Sequence, residues 1–79
     1  MKNEDVEGSV ISVVAAVLRR VVQVDTSREN NEAWDSLKHI EIVFALEDQF
    51  GVQFDEECIA TLDSVQRIVL EIKNRLNET

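Results

Sequence analysis

Apolar residues recur at helical spacing in three stretches of the chain. Val6, Val10, Val13, Val14, Val17, Leu18 and Val21 follow the i, i+3, i+4, i+7 pattern of an amphipathic helix. Their β-branched character argues for a strand, but strict alternation breaks at Ala15-Ala16 and Arg19-Arg20, and the run outlasts an ordinary strand. The spacing predicts a first helix over Val6 to Val22. Gln23 to Ala33 is polar and aperiodic, a loop whose length suits a crossover between helices or a functional role. Asp35 to Phe50 opens on an N-cap type residue and closes at Gly51, so both ends of a second helix are marked. Val52-Gln53-Phe54 reads as a short extended link, and Asp55 as the cap of one short turn, Glu56 to Ala60. Asp63 or Ser64 starts a last helix, on which Val65, Ile68, Val69, Ile72 and Leu76 line one face. The expected fold is all-α: a small four-helix bundle with three main helices, a short third helix and a long loop between the first and second. Residues 1–79 are expected to form a single domain.

Helix II divides its apolar residues between two stripes. Ile42, Val43, Leu46 and Phe50 share an arc of about 100°, the width of a core-facing face. Leu37, Ile40 and Phe44 make the other, bordered by Glu41, Glu47 and Asp48. An apolar stripe at this spacing could simply pack on a neighbouring helix. Carboxylates demand water, however, so a strip edged with them has the chemistry of a docking surface for a partner offering apolar and basic groups.

Charge sharpens this picture. Sixteen acidic and eight basic residues leave a net charge of −8, which opposes binding to nucleic acid or anionic lipid. Between Glu29 and Asp63 there are ten acidic residues and one base, Lys38, so the acid is concentrated around helix II. The longest apolar run, Val13 to Leu18, is far below the roughly 20 residues of a membrane-crossing helix, and the N-terminus lacks a secretory h-region. A cytoplasmic location is expected. With Cys58 the only cysteine and His39 the only histidine, neither an internal disulfide nor a Cys/His zinc site can form. Asp25, Ser27 and Glu29 hint at a calcium loop, but its sixth position is Asn30 rather than Gly and its twelfth Ser36 rather than Glu, so no metal ligands are assigned.

Chemistry concentrates at the start of helix II. Asp35 and Ser36 are, in the plainest reading, an N-cap and a first-turn serine. A nucleophilic serine needs a base; His39 is one turn away, but no Gly-x-Ser-x-Gly elbow surrounds Ser36 and no second group is placed to orient the imidazole. Autonomous hydrolysis is therefore not expected. Free backbone N–H groups and the positive end of the helix dipole suit a phosphate attached to the serine oxygen instead. His39, at i+3, is expected to lie near such a phosphate. Trp34 is read as a lid over the loop or part of the docking surface, and Cys58 as a small buried apolar residue with no cation beside it in sequence.

Trp34-Asp35-Ser36-Leu37, running into Ile40-Glu41-Ile42-Val43-Phe44-Ala45-Leu46-Glu47-Asp48-Gln49-Phe50-Gly51-Val52, resembles the Asp-Ser-Leu motif and second helix of acyl carrier proteins. The likeness covers nearly the whole chain, including the short third helix and Asp63-Ser64-Val65-Gln66 at the start of the fourth. It implies an acyl-carrier-like domain, not an enzyme, in which Ser36 receives 4′-phosphopantetheine from coenzyme A and carries acyl groups as thioesters. Asp35 and Leu37 would complete the motif read by the phosphopantetheinyl transferase. Leu37, Ile40, Glu41, Phe44, Glu47 and Asp48 match the family's partner-binding positions, those the wheel had already separated. Implied partners are that transferase and acyl-activating, ketosynthase or acyltransferase enzymes with basic docking surfaces, acting on a monomer.

The chain departs from the family pattern at Glu32-Ala33-Trp34, where many members have Leu-Gly before the motif, and at Lys38 and His39, where acidic or hydroxyl residues are common. These differences adjoin the attachment point and weigh against membership of the general fatty-acid synthesis set, so within the expected range of fatty-acid, polyketide or another specialised acyl-transfer pathway a dedicated carrier is at least as well supported. Two alternatives stand beside it: a peptidyl or aminoacyl carrier, and an unmodified acidic adaptor that binds partners through helix II alone.

Overall fold

The computed structural model describes residues 5–77. Along them run α1 (Val6–Leu18), α2 (Ser36–Phe50), α3 (Glu56–Thr61) and α4 (Val65–Asn77). The all-α bundle with a short third helix is as expected, and among the described residues the extended pairing is a single isolated bridge.

The predicted caps are in place. Asp35 Oδ1 accepts from the Lys38 N–H at 2.9 Å, and Asp55 Oδ1 from the Cys58 N–H at 2.8 Å. Each bond satisfies an amide that the first turn of a helix leaves without an intrahelical acceptor. At the other end of α2, Gly51 takes the left-handed conformation (φ 66°), so that its N–H and that of Val52 both reach the Glu47 carbonyl. Of the two candidates before α4, Ser64 acts as the cap, its Oγ accepting from Arg67 N–H at 3.1 Å.

One boundary is corrected. The first helix stops at Leu18 rather than Val22. Arg19 adopts the left-handed conformation (φ 57°) and donates its N–H to the Ala15 carbonyl. The chain then turns so that Val22 enters the core while Val21, which the periodicity had placed on the helix, is 85% exposed. A non-glycine residue in this conformation costs roughly 1–2 kcal/mol, a cost met by burying Val22 and Leu18, and nothing in the local pattern signals it.

α1 packs against both α2 and α4. Val6, Val10, Val14 and Leu18 on α1 meet Ile42, Val43 and Leu46 on α2 and Val65, Ile68 and Ile72 on α4. Trp34, Phe54 and Leu62 close this core from the connections. The α1–α2 loop is an ordered crossover. Its Thr26 carbonyl accepts from Val65 N–H and its Arg28 N–H donates to the Asp63 carbonyl, both at 2.9 Å, which ties the loop to the start of α4. Side-chain turns stiffen it: Asn30 Oδ1 accepts from Ser27 N–H, and Thr26 Oγ1 accepts from Gln23 N–H. Among the described residues no helix is long and apolar enough to cross a membrane.

Candidate functional site

Ser36 is the first residue of α2, and its side chain is exposed. Because Asp35 takes up the Lys38 amide, the Ser36 and Leu37 N–H groups are left at the helix start with no acceptor inside the helix. The crossover loop brings Arg28 to the same place, with its Nη2 at 3.5 Å from Ser36 Oγ. Ser36 thus presents an accessible hydroxyl beside a cation and a positive helix end, an environment that favours an anion on the oxygen. The residues present fit a phosphodiester-linked group at this serine.

His39 does not take part. It is only 5% exposed, and both ring nitrogens are occupied. Nδ1 accepts from the Trp34 indole N–H at 3.0 Å, while Nε2 lies 2.8 Å from the Ile59 carbonyl oxygen. An indole can only donate and a carbonyl can only accept, so the pair of partners assigns the neutral ring with its proton on Nε2. The expectation that His39 lies near a phosphate on Ser36 is therefore corrected. Two residues on one turn need not point the same way, and the imidazole is drawn into the core by its partners. Trp34 is corrected with it: at 2% exposure it is neither lid nor docking surface but part of the core, its one polar atom satisfied by His39.

The two stripes of α2 separate as the wheel divides them. Ile42, Val43 and Leu46 are buried, and Phe50 packs on the core's edge. Leu37, Ile40 and Phe44 are 67%, 41% and 63% exposed, respectively. Their acidic neighbours differ. Glu41 is paired loosely with the half-buried Lys38 at 3.6 Å and is itself exposed, so its charge stays available to a partner. Glu47 has an internal task, its Oε2 accepting from the Phe54 N–H at 2.9 Å and holding the α2–α3 link. Asp48 is exposed. Phe44, Glu47 and Asp48 form one side of an open groove of about 810 Å³, with Val52 and Gln53 along the link and Arg75 across from them.

Arg28 and Arg75 are functional-site neighbours that the sequence reading did not single out. Arg28 carried a faint signal, as the one base between Arg20 and Lys38. Arg75 carried another, lying four residues after Glu71, with which it pairs at 2.8 Å. It also donates to the Gln53 carbonyl, lies 4.9 Å over the Phe54 ring and places Nη2 at 3.8 Å from Cys58 Sγ. The reading of Cys58 as a buried residue is corrected: it is half-buried, and although no cation adjoins it in sequence, one arrives from α4. Burial nonetheless pushes its thiol up from the ordinary value, against the lowering effect of the Arg75 hydrogen bond, so Arg75 does not make it a reactive thiolate.

No protein-family model matches the chain. It is 37% identical to "Acyl carrier protein 3" of Ralstonia nicotianae (strain ATCC BAA-1114 / GMI1000), over 96% of this chain and 91% of that protein. It is also 45% identical over 42 residues to the "Acyl carrier protein homolog" of Mycoplasma genitalium, a match covering 53% of this chain and 50% of that one. With a four-helix bundle, an exposed serine opening the second helix and a match along nearly its whole length, the chain belongs to the acyl carrier protein family, a family of carriers rather than enzymes.

Proposed function

We propose that the chain carries acyl groups on a 4′-phosphopantetheine arm joined to Ser36, as one self-contained domain serving a specialised acyl-transfer pathway. The observation that carries this reading is the exposed Ser36 hydroxyl at the start of an α2 whose next exposed stripe is Leu37, Ile40 and Phe44. When bound, the arm supplies a terminal thiol on which acyl groups are held as thioesters. The chain's own residues do the rest. Attachment forms a bond between Ser36 Oγ and the phosphorus of coenzyme A nearest the pantetheine. The bond from that phosphorus to the adenosine bisphosphate half breaks, and that half departs. The serine proton passes to a base of the phosphopantetheinyl transferase, because both ring nitrogens of His39 are already engaged in the core. Asp35 fixes the helix start, and Leu37 offers the transferase an apolar contact beside the hydroxyl.

Leu37, Ile40 and Phe44, edged by Glu41, Glu47 and Asp48, form the surface that transferase, acyl-activating, ketosynthase or acyltransferase partners meet with basic groups. Opposite charge accelerates encounter, and the apolar stripe supplies buried area once the partners meet. Intact mass after incubation with coenzyme A and a broad-specificity transferase tests the reading. One phosphopantetheine increment on the native chain, absent from Ser36→Ala, is expected. A native chain that gains nothing, or a Ser36→Ala chain that still gains the mass, rejects it, and the former result would favour the unmodified adaptor.

A further inference from the structure

Arg67, Arg75 and Lys38 each pair with a carboxylate of their own helix or its cap region: Asp63, Glu71 and Glu41. Arg28 does not, although Glu29, Glu32 and Asp35 follow it in sequence. Among the described residues its guanidinium meets one side chain, that of Ser36, with Nη2 at 3.5 Å from Oγ. At that distance the bond to a neutral hydroxyl is at the outer limit of a hydrogen bond and weak. A cation is thus brought to an uncharged oxygen, eight residues away, while nearby acids are passed over. The backbone that carries it is also held. The Arg28 N–H is bonded to the Asp63 carbonyl, Thr26 and Val65 pair beside it, and the Ser27–Asn30 turn closes the loop behind it.

We propose that Arg28 is the positioning residue for the anion carried on Ser36. Its guanidinium pairs with the phosphodiester that joins the arm to Oγ and holds the root of the arm toward the crossover loop. This rests on the modification of Ser36 proposed above and adds to it a residue outside the Asp-Ser-Leu motif. A phosphorus on Oγ sets its two unesterified oxygens two bonds beyond the serine oxygen, within the reach of a guanidinium already in contact with Oγ. The planar fork of N–H donors matches a phosphate edge with two parallel bonds, which an ammonium on a flexible stem does not reproduce. Because the loop backbone is tied to α4 before modification, little ordering is left to do when the anion arrives.

The test is a four-way comparison of apo and holo chains with Arg28 or with Arg28→Gln. Modification is driven to completion and verified by intact mass. Holo formation should raise the native Tm by about 4 °C, and by less than half as much in Arg28→Gln. The native gain should shrink in 0.5 M NaCl as the charges are screened. Arg67→Gln, which removes a base paired with Asp63, should keep the full gain. On the unmutated protein, the Arg28 Nε–Hε NMR resonance should move on modification while that of Arg67 stays in place. An equal holo gain in Arg28→Gln, or an Arg28 resonance that does not move, overturns the role of Arg28 and leaves the carrier reading intact. A native chain that gains no mass overturns both.

Discussion

Val10, Ile42 and Ile68, through which α1, α2 and α4 meet, leave no surface to solvent, whereas α3 contributes no fully buried residue of its own. Its Cys58 and Ile59 only lean on the core. What keeps α3 in place is polar and directional: His39 to the Ile59 carbonyl, Glu47 to the Phe54 amide, and Arg75 to the Gln53 carbonyl, the Phe54 ring and Cys58. Phe54 and Leu62, on either side of the short helix, are its apolar anchors. Apolar burial is non-directional and accumulates over many contacts, while a latch of single bonds is lost when any one partner is removed. The α3 corner should therefore open at lower free energy than the three-helix core. Groove-lining Phe44, Glu47 and Arg75 sit along the border between the two regions.

The largest test of this contrast is Ile42→Ala, which empties a site in the centre of the core. It should cost about 2–5 kcal/mol in chemical denaturation, enough to endanger folding of a small domain. A loss below about 1 kcal/mol would show that the core is held elsewhere. His39→Phe keeps an aromatic ring but strands the Trp34 N–H and the Ile59 carbonyl. It should cost about 1–3 kcal/mol and speed amide exchange in α3 well before α1 or α4. Uniform acceleration along the chain would mean that α3 is part of one cooperative unit with the rest.

Arg75→Gln removes the second latch. Its effect on stability should be smaller, about 1–2 kcal/mol, because the side chain is partly exposed. The informative readout is alkylation of Cys58. In the native chain the thiol is raised by burial and stays protonated at neutral pH, so alkylation should be slow there and increase at alkaline pH above the range of an ordinary thiol. The sign follows from the same shift. A thiol raised on folding contributes stability that is present below its unfolded value and lost as pH climbs through the folded one. Arg75→Gln takes away the hydrogen bond that lowers the thiol, which by itself slows alkylation, yet loosening of α3 should outweigh this and accelerate alkylation at pH 7.5. A slower reaction would place the restraint on α3 with His39 and the apolar anchors. Smallest of all is Phe44→Ala, which removes an aromatic ring from the exposed stripe and should shift stability by less than about 0.5 kcal/mol while slowing transfer to or from a partner enzyme. A loss of several kcal/mol would make Phe44 a core residue.

The chain's local chemistry determined much of this protein without help from its neighbours. Asp35 and Gly51 delimited α2, Asp55 marked α3, and the two apolar stripes of α2 separated on a wheel, because capping and face assignment depend on residues one or two turns apart. The Asp-Ser-Leu motif sits at that same locally defined helix start. Tertiary structure alone decided the rest. It ended α1 at Arg19, turned His39 and Trp34 inward, carried Arg28 to Ser36 through hydrogen bonds between the loop and the start of α4, and brought Arg75 to α3. Each of these depends on partners that periodicity cannot see: Ile59 is 20 residues from His39, and Gln53 is 22 from Arg75. A buried ring points to wherever its donors and acceptors are satisfied, and those become its neighbours only when the helices have packed.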